Sequence, residues 1–106
     1  MNLVDLIPFG KENTINRHDL IKAYAQATNH SERTAEREFH KFLASCRIEN
    51  VIISTGDGYY RPLPNRPDEV EETRRFAKRM HHRATETMKN ITYTNKWLAD
   101  ADSGRL

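Results

Sequence analysis

Apolar positions along this chain follow a helical spacing for most of its length and an extended one over a single short stretch. Met1 to Ile7 (MNLVDLI) is short and amphipathic, and Pro8 and Gly10 end it. A helix is predicted from about Arg17 to Gln26, with Leu20, Ile21, Ala23, Tyr24 and Ala27 as its apolar face. Asn16 is placed to cap it, and Asp19 adds negative charge to its first turn. Asn29-His30-Ser31 interrupts the pattern, and Ser31 is a good N-cap for a second helix from about Glu32 to Cys46. On a helical wheel Ala35, Phe39, Phe42, Leu43 and Cys46 fall within a band about 100° wide. Arg33, Arg37, His40, Lys41 and Ala44 lie on the opposite side.

The extended stretch is VIISTGDGYYRPL, Val51 to Leu63. Val51, Ile52 and Ile53 are β-branched, and Tyr59 and Tyr60 fit a returning strand that Pro62 ends. Asp57-Gly58 signals a tight primed turn, because such a turn needs positive φ. An isolated hairpin is marginal in water, so this one must pack on helices. Pro62, Pro64 and Pro67 follow as a stiff joint. From Asp68 to about Leu98 the spacing is helical again, without Gly or Pro.

Two short helices, a brief turn between them and then a hairpin is the order of a winged helix, with the hairpin as the wing. The turn fits a helix-turn-helix, with Ala25 as a small residue, Asn29 where a left-handed conformation is wanted, and Ala35 as another buried residue. The expected fold is therefore mainly α with one β-hairpin: a winged helix-turn-helix followed by a long C-terminal helix. The expected organisation is a domain over 1–64, a Pro-containing joint over 65–67, a long amphipathic helix over 68–100 and a flexible tail over 101–106.

Ile15, Arg17 and Leu20 make an Ile-x-Arg-x-x-Leu motif ahead of the first full helix, and Ile52, Ser54, Gly58, Tyr59, Tyr60 and Pro62 make an Ile-x-Ser, Gly-Tyr-Tyr, Pro pattern after the second. With these motifs the chain, over roughly residues 7–98, resembles small winged-helix proteins encoded by phages and prophages of Gram-positive bacteria. It departs from their pattern at Arg47-Ile48-Glu49-Asn50, which is polar and charged where a short regular turn is usual. The resemblance implies DNA binding in a phage replication or transcription-regulating setting.

Composition narrows the function classes. Hydrophobic residues make up 37% of the chain and charged residues 30%, with no apolar run near the roughly 18 residues a membrane span needs. The N-terminus lacks a signal-peptide pattern, and the single Cys46 precludes an intramolecular disulfide, which together read as cytoplasmic. The formal net charge is only +2, and residues 1–64 carry 8 basic and 8 acidic side chains. Gly10-Lys11-Glu12 is not a phosphate loop, the adjacent His81 and His82 point to different helix faces, and Cys46 falls in the apolar stripe. The expectation is a protein that is not an enzyme, with no metal, no cofactor and no small-molecule substrate.

Duplex DNA is the expected partner. Arg33, Arg37 and Lys41, spaced i, i+4, i+8, form a ridge of outward donors suited to base edges or phosphates, with His40 beside it. Ser31 and Thr34 sit at the helix start, where backbone N–H groups favour phosphate. Asp57, Gly58 and Arg61 are the wing candidates. Glu32, Glu36 and Glu38 flank the ridge and weaken its field. In the last helix Val70, Thr73, Ala77, Met80, Ala84, Thr87, Ile91, Thr94 and Leu98 alternate three and four apart, a coiled-coil-like seam. That seam either packs on its own domain or forms a homodimer, with Val70, Ala77, Met80, Ala84, Ile91 and Leu98 as its main positions. Arg75, Lys78 and Arg79 on the other face are candidates for flanking DNA contacts. The alternative is a protein-interaction module of winged-helix shape without DNA binding, which the neutral first half favours.

Overall fold

In a computed structural model, which describes residues 2–105, three α-helices and one two-stranded antiparallel hairpin are present among the described residues. Met1 of the expected first segment and Leu106 of the expected tail lie outside the described residues. The elements are α1 (Arg17–Thr28), α2 (Glu32–Arg47), β1 (Ile53–Thr55), β2 (Gly58–Tyr60) and α3 (Pro67–Asp102), preceded by 3-10 turns at Leu3–Leu6 and Lys11–Asn13. The chain divides into two compact units, one ending at Thr73 and one beginning at Arg74.

In the first unit the capping residues act as their chemistry dictates. The Asp19 N–H donates to Asn16 Oδ1 at 2.8 Å, and Asn16 Nδ2 donates back to the Asp19 carboxylate at 2.9 Å. α1 closes on Asn29, which adopts the left-handed conformation (φ 56°, ψ 36°), and the His30 N–H reaches the Ala25 carbonyl at 2.9 Å. Ser31 Oγ then accepts the Thr34 N–H at 3.2 Å and starts α2. The two helices bury Leu20, Ile21, Tyr24 and Ala25 from α1, and Ala35, Phe39, Phe42, Leu43 and Cys46 from α2. The α1 face differs in two positions from its expected composition. Ala27 is exposed and Ala23 only half-buried, because the buried stripe runs through Ala25 instead. Tyr24 stacks on Phe42 with ring centroids 4.6 Å apart, and Ile7 and Ile52 close the core.

The hairpin pairs Ile53 with Tyr60, Ser54 with Tyr59 and Thr55 with Gly58, so its turn is Gly56-Asp57. Neither turn residue has positive φ, so the expected primed turn at Asp57-Gly58 is not formed. Positive φ (+141°) falls on Gly58, the residue just after the turn. A Cβ there would collide with the Ile15 carbonyl oxygen and sit 2.8 Å from Asn16 Cα. The close approach has a cause: Ile15 forms an antiparallel bridge to Tyr59, with N–H···O distances of 3.0 and 2.9 Å in the two directions. Two residues on, Arg61 pairs with the chain around Phe9, donating its N–H to the Pro8 carbonyl at 2.8 Å and accepting the Gly10 N–H at 2.9 Å. The hairpin is thus extended by a third short stretch ahead of α1.

Pro67 opens α3, where a missing N–H costs nothing, rather than belonging to the joint before it. The first turns of α3 are tied to the rest of the unit. Glu69, only 3% exposed, accepts the Leu63 N–H at 2.9 Å. Lys11 pairs with Glu72 at 2.8 Å, and Arg66 with Glu12 at 3.3 Å. The Tyr60 hydroxyl is fully buried and meets no hydrogen-bond geometry, although the Glu72 carboxylate faces it. Burial, then the charges of Glu72, Glu69 and Asp68, push its pKa far above the ordinary phenol value.

In the second unit α3 runs on to Asp102, so Ala101 and Asp102, expected in a tail, are helical. The helix ends in a Schellman motif: Gly104 has φ +72°, its N–H reaches the Ala101 carbonyl at 3.1 Å, and the Arg105 N–H reaches the Asp100 carbonyl at 2.8 Å. Every residue from Ala77 to Ala99 is exposed. Among the described residues no helix is long and apolar enough to cross a membrane.

Candidate nucleic-acid interface

α2 is held against α1 by its apolar stripe, and this fixes which residues face outward. The five residues assigned to the buried band are all buried, and Arg33, Arg37, His40, Lys41 and Ala44 are all exposed. Arg33, Arg37 and Lys41 make no ion pair within the described residues. His40 is in edge contact with Phe39, at a centroid distance of 6.4 Å.

The acidic residues between these cations are turned to other partners. Glu36 pairs with Arg17 of α1 at 3.6 Å, and the Arg17 guanidinium lies 5.0 Å from the Phe39 ring centre. Glu38 accepts the Tyr24 hydroxyl at 3.1 Å and sits 3.6 Å from His30. Exposed pairs of this kind add little stability. Their effect is on charge: Glu36 is compensated by Arg17, Glu38 is engaged by the Tyr24 hydroxyl and His30, and the ridge cations have no ion-pair partner among the described residues. Arg17 was legible only as a motif residue. Its role beside the ridge depends on α1 crossing α2, which no local signal carries.

Other candidates are placed differently. Ser31 and Thr34 are committed to the cap, with Ser31 Oγ donating to Thr34 Oγ1 at 3.0 Å while accepting the Thr34 N–H. One of the N–H groups proposed for phosphate is therefore already satisfied. Asp57 is exposed at the hairpin turn, with its N–H on Thr55 Oγ1 at 3.1 Å. Gly58 is buried against Ile15. Arg61 is withdrawn from the wing set: its side chain is 12% exposed, its Nε donates to the Ile7 carbonyl at 2.7 Å, and its guanidinium stacks 3.9 Å over the Phe9 ring. It joins the hairpin to the N-terminal segment. Tyr59 is half-buried and packs edge-on against Phe39, with centroids 5.6 Å apart, so the hairpin leans on α2 through this ring.

In the second unit Arg75, Lys78 and Arg79 are exposed, and Arg79 lies 5.8 Å from the Phe76 ring centre. Of the seam positions, Val70 is half-buried, and Ala77, Met80, Ala84, Ile91 and Leu98 are exposed. Cys46 is buried, and burial raises its thiol pKa, which holds it protonated. Comparison with family models, with curated proteins and with solved structures finds no match.

Proposed function

We propose that this protein binds duplex DNA as a winged-helix protein of the small phage and prophage type, with α2 as its recognition helix, in a regulatory or replication role. The observation that carries the reading is the Arg33–Arg37–Lys41 ridge, exposed and without an ion pair among the described residues, while Glu36 and Glu38 are drawn to Arg17, Tyr24 and His30. The left-handed Asn29 between α1 and α2, and the hairpin that follows, support the winged-helix reading. On this reading Arg37, midway along the ridge, makes a bidentate contact with a guanine edge, and Arg33 and Lys41 contact phosphates. Arg75, Lys78 and Arg79 add sequence-independent phosphate contacts, so affinity depends on salt. No catalytic step, cofactor or metal enters this reading, and the compartment it fits is the cytoplasm.

Fluorescence anisotropy with labelled duplexes tests it. If about 4–6 phosphates are neutralised, the slope of log affinity against log salt is about −4 to −5. A flat response, or no binding to random-sequence duplex pools at low salt, favours the second reading, an interaction module of the same shape. The equal count of 8 basic and 8 acidic residues over 1–64 is what favours that second reading.

A further inference from the structure

We propose that the basic face of α3 binds single-stranded DNA, with Tyr93 and Trp97 stacking on bases and Lys89 and Lys96 holding phosphates. Charge along the chain is the first observation. Residues 74–97 carry seven basic side chains and one acidic, whereas the rest of the chain carries ten basic and fourteen acidic. This stretch of α3 is thus the part of the molecule most suited to a polyanion. The second observation is the side of the helix that is used. At 100° per residue Lys78, Arg79, Lys89, Tyr93, Lys96 and Trp97 fall within a band about 100° wide, on the side away from Ile91 and the seam. Tyr93 is 74% exposed and Trp97 53%, and the four cations are exposed as well. Two carboxylates share the band, and each has its own cation: Glu86 pairs with Lys89 at 3.4 Å and Asp100 with Arg105 at 3.4 Å. Pairs this exposed are weak and open readily to phosphate.

Rings and lysines on one face suit the two halves of one ligand. Inside a duplex the base faces are covered by their neighbours, and only a single strand offers them to a side chain. Aromatic rings stack on such bases whatever the sequence, while cations follow the phosphates. Tyr93 and Trp97 are four residues apart, so they are neighbours on the surface, about 6 Å apart along the axis. Lys89 lies one turn before Tyr93, and Lys96 lies between the two rings and the edge of the band. Lys78 and Arg79, proposed above for duplex phosphates, continue the same band towards the first unit, so a strand leaving a duplex meets the rings next. DNA rather than RNA follows from the duplex reading, and in that choice alone the inference rests on it.

Trp97 is the single tryptophan of the chain, so its emission reads the contact directly. Oligothymidylate, which does not pair with itself, should quench it saturably. Inorganic polyphosphate, which has the charge and no bases, should not. With labelled oligothymidylate followed by anisotropy, Trp97→Ala and Tyr93→Ala should each weaken binding about 5- to 150-fold. Lys89→Gln combined with Lys96→Gln should shrink the salt slope by about 1.4. Arg37→Ala, on α2, should leave oligothymidylate binding unchanged. Absence of quenching overturns the proposal, and so does equal quenching by polyphosphate. Unchanged affinity in both ring variants, a salt slope untouched by the lysine pair, an Arg37→Ala loss as large as that of Trp97→Ala, or tighter binding of oligouridylate overturns it too. Failure of the two readings is distinguishable: quenching without any duplex binding strikes the α2 reading and keeps this one, and duplex binding without quenching does the reverse.

Discussion

The two units of this chain solve opposite problems with similar residues. Before Arg74, large apolar side chains such as Ile7, Leu20, Phe39 and Ile52 are at most 1% exposed, and Arg61 and Glu69 are each held by a named backbone partner. After it, Met80, Met88, Ile91, Trp97 and Leu98 are 45% to 59% exposed on a helix whose order owes nothing to a core of its own. Helical length and a closed C-terminus favour such a helix, but isolated helices are only marginally stable. The contrast teaches that packing holds the first unit, while the second leaves its apolar side chains uncovered.

The largest expected effect is the loss of a core ring. Phe39 is 1% exposed and touches Phe42 and Tyr59, so Phe39→Ala should cost about 3–5 kcal/mol. Ile91→Ala, a comparable truncation in the second unit, should leave the melting of the first unit within about 0.5 kcal/mol. Chemical denaturation of both variants measures the difference. Equal losses would erase the distinction between the units.

Next is the position of the boundary. A chain ending at Pro67 lacks Glu69 and Glu72, leaving the Leu63 N–H and Lys11 without their partners. A chain ending at Thr73 keeps both. The shorter chain should be less stable by about 1–3 kcal/mol, the cost of a buried donor left unsatisfied. Matching urea midpoints would show that the start of α3 contributes nothing to the first unit.

That boundary also marks what was legible in the sequence. Local signals were readable: the caps at Asn16 and Ser31, left-handed Asn29, and all five buried positions of α2 follow from residue type and a period of 3.6. The exposed ridge followed from the same wheel. Pairings between distant segments were not readable. Ile15 with Tyr59, and Arg61 with Ile7 and Phe9, leave no periodicity in a seven-residue window. Hence the turn was expected at Asp57-Gly58 when it falls at Gly56-Asp57, although the positive φ is on Gly58 as expected, and Arg61 was read as a wing donor when the fold uses it as a strut.

A smaller effect should appear at alkaline pH, and only in the first unit. Burial raises the pKa of Tyr60, and burial together with the Glu38 hydrogen bond raises that of Tyr24. Both favour the neutral phenol in the fold. Their contribution is fully present below about pH 10, where an unfolded tyrosine ionises, and is lost as pH rises towards the folded values. Melting temperature should therefore fall above about pH 10. Tyr60→Phe removes an unpartnered buried hydroxyl, so it should fold as well as the wild type at pH 7 and keep its stability to higher pH. An unchanged alkaline midpoint in that variant would assign the loss to Tyr24 instead.

The smallest expected change in stability carries the reading of the interface. Arg37 is exposed and makes no ion pair among the described residues, so Arg37→Ala should leave unfolding within about 0.5 kcal/mol. Binding should weaken by about 1–3 kcal/mol if Arg37 meets a base edge, with relaxed preference at one position of the site. If it meets only phosphate, the loss is the same for every sequence and the salt slope shrinks by about one. Arg61→Ala is the contrasting variant: it removes a bond to Ile7 and a stacked cation, so it should lower stability while leaving the salt slope unchanged. The two substitutions remove the same charge from the same unit. If both shift the salt slope equally, the ridge is not distinguished from the strut, and the assignment of α2 as the recognition element fails with it.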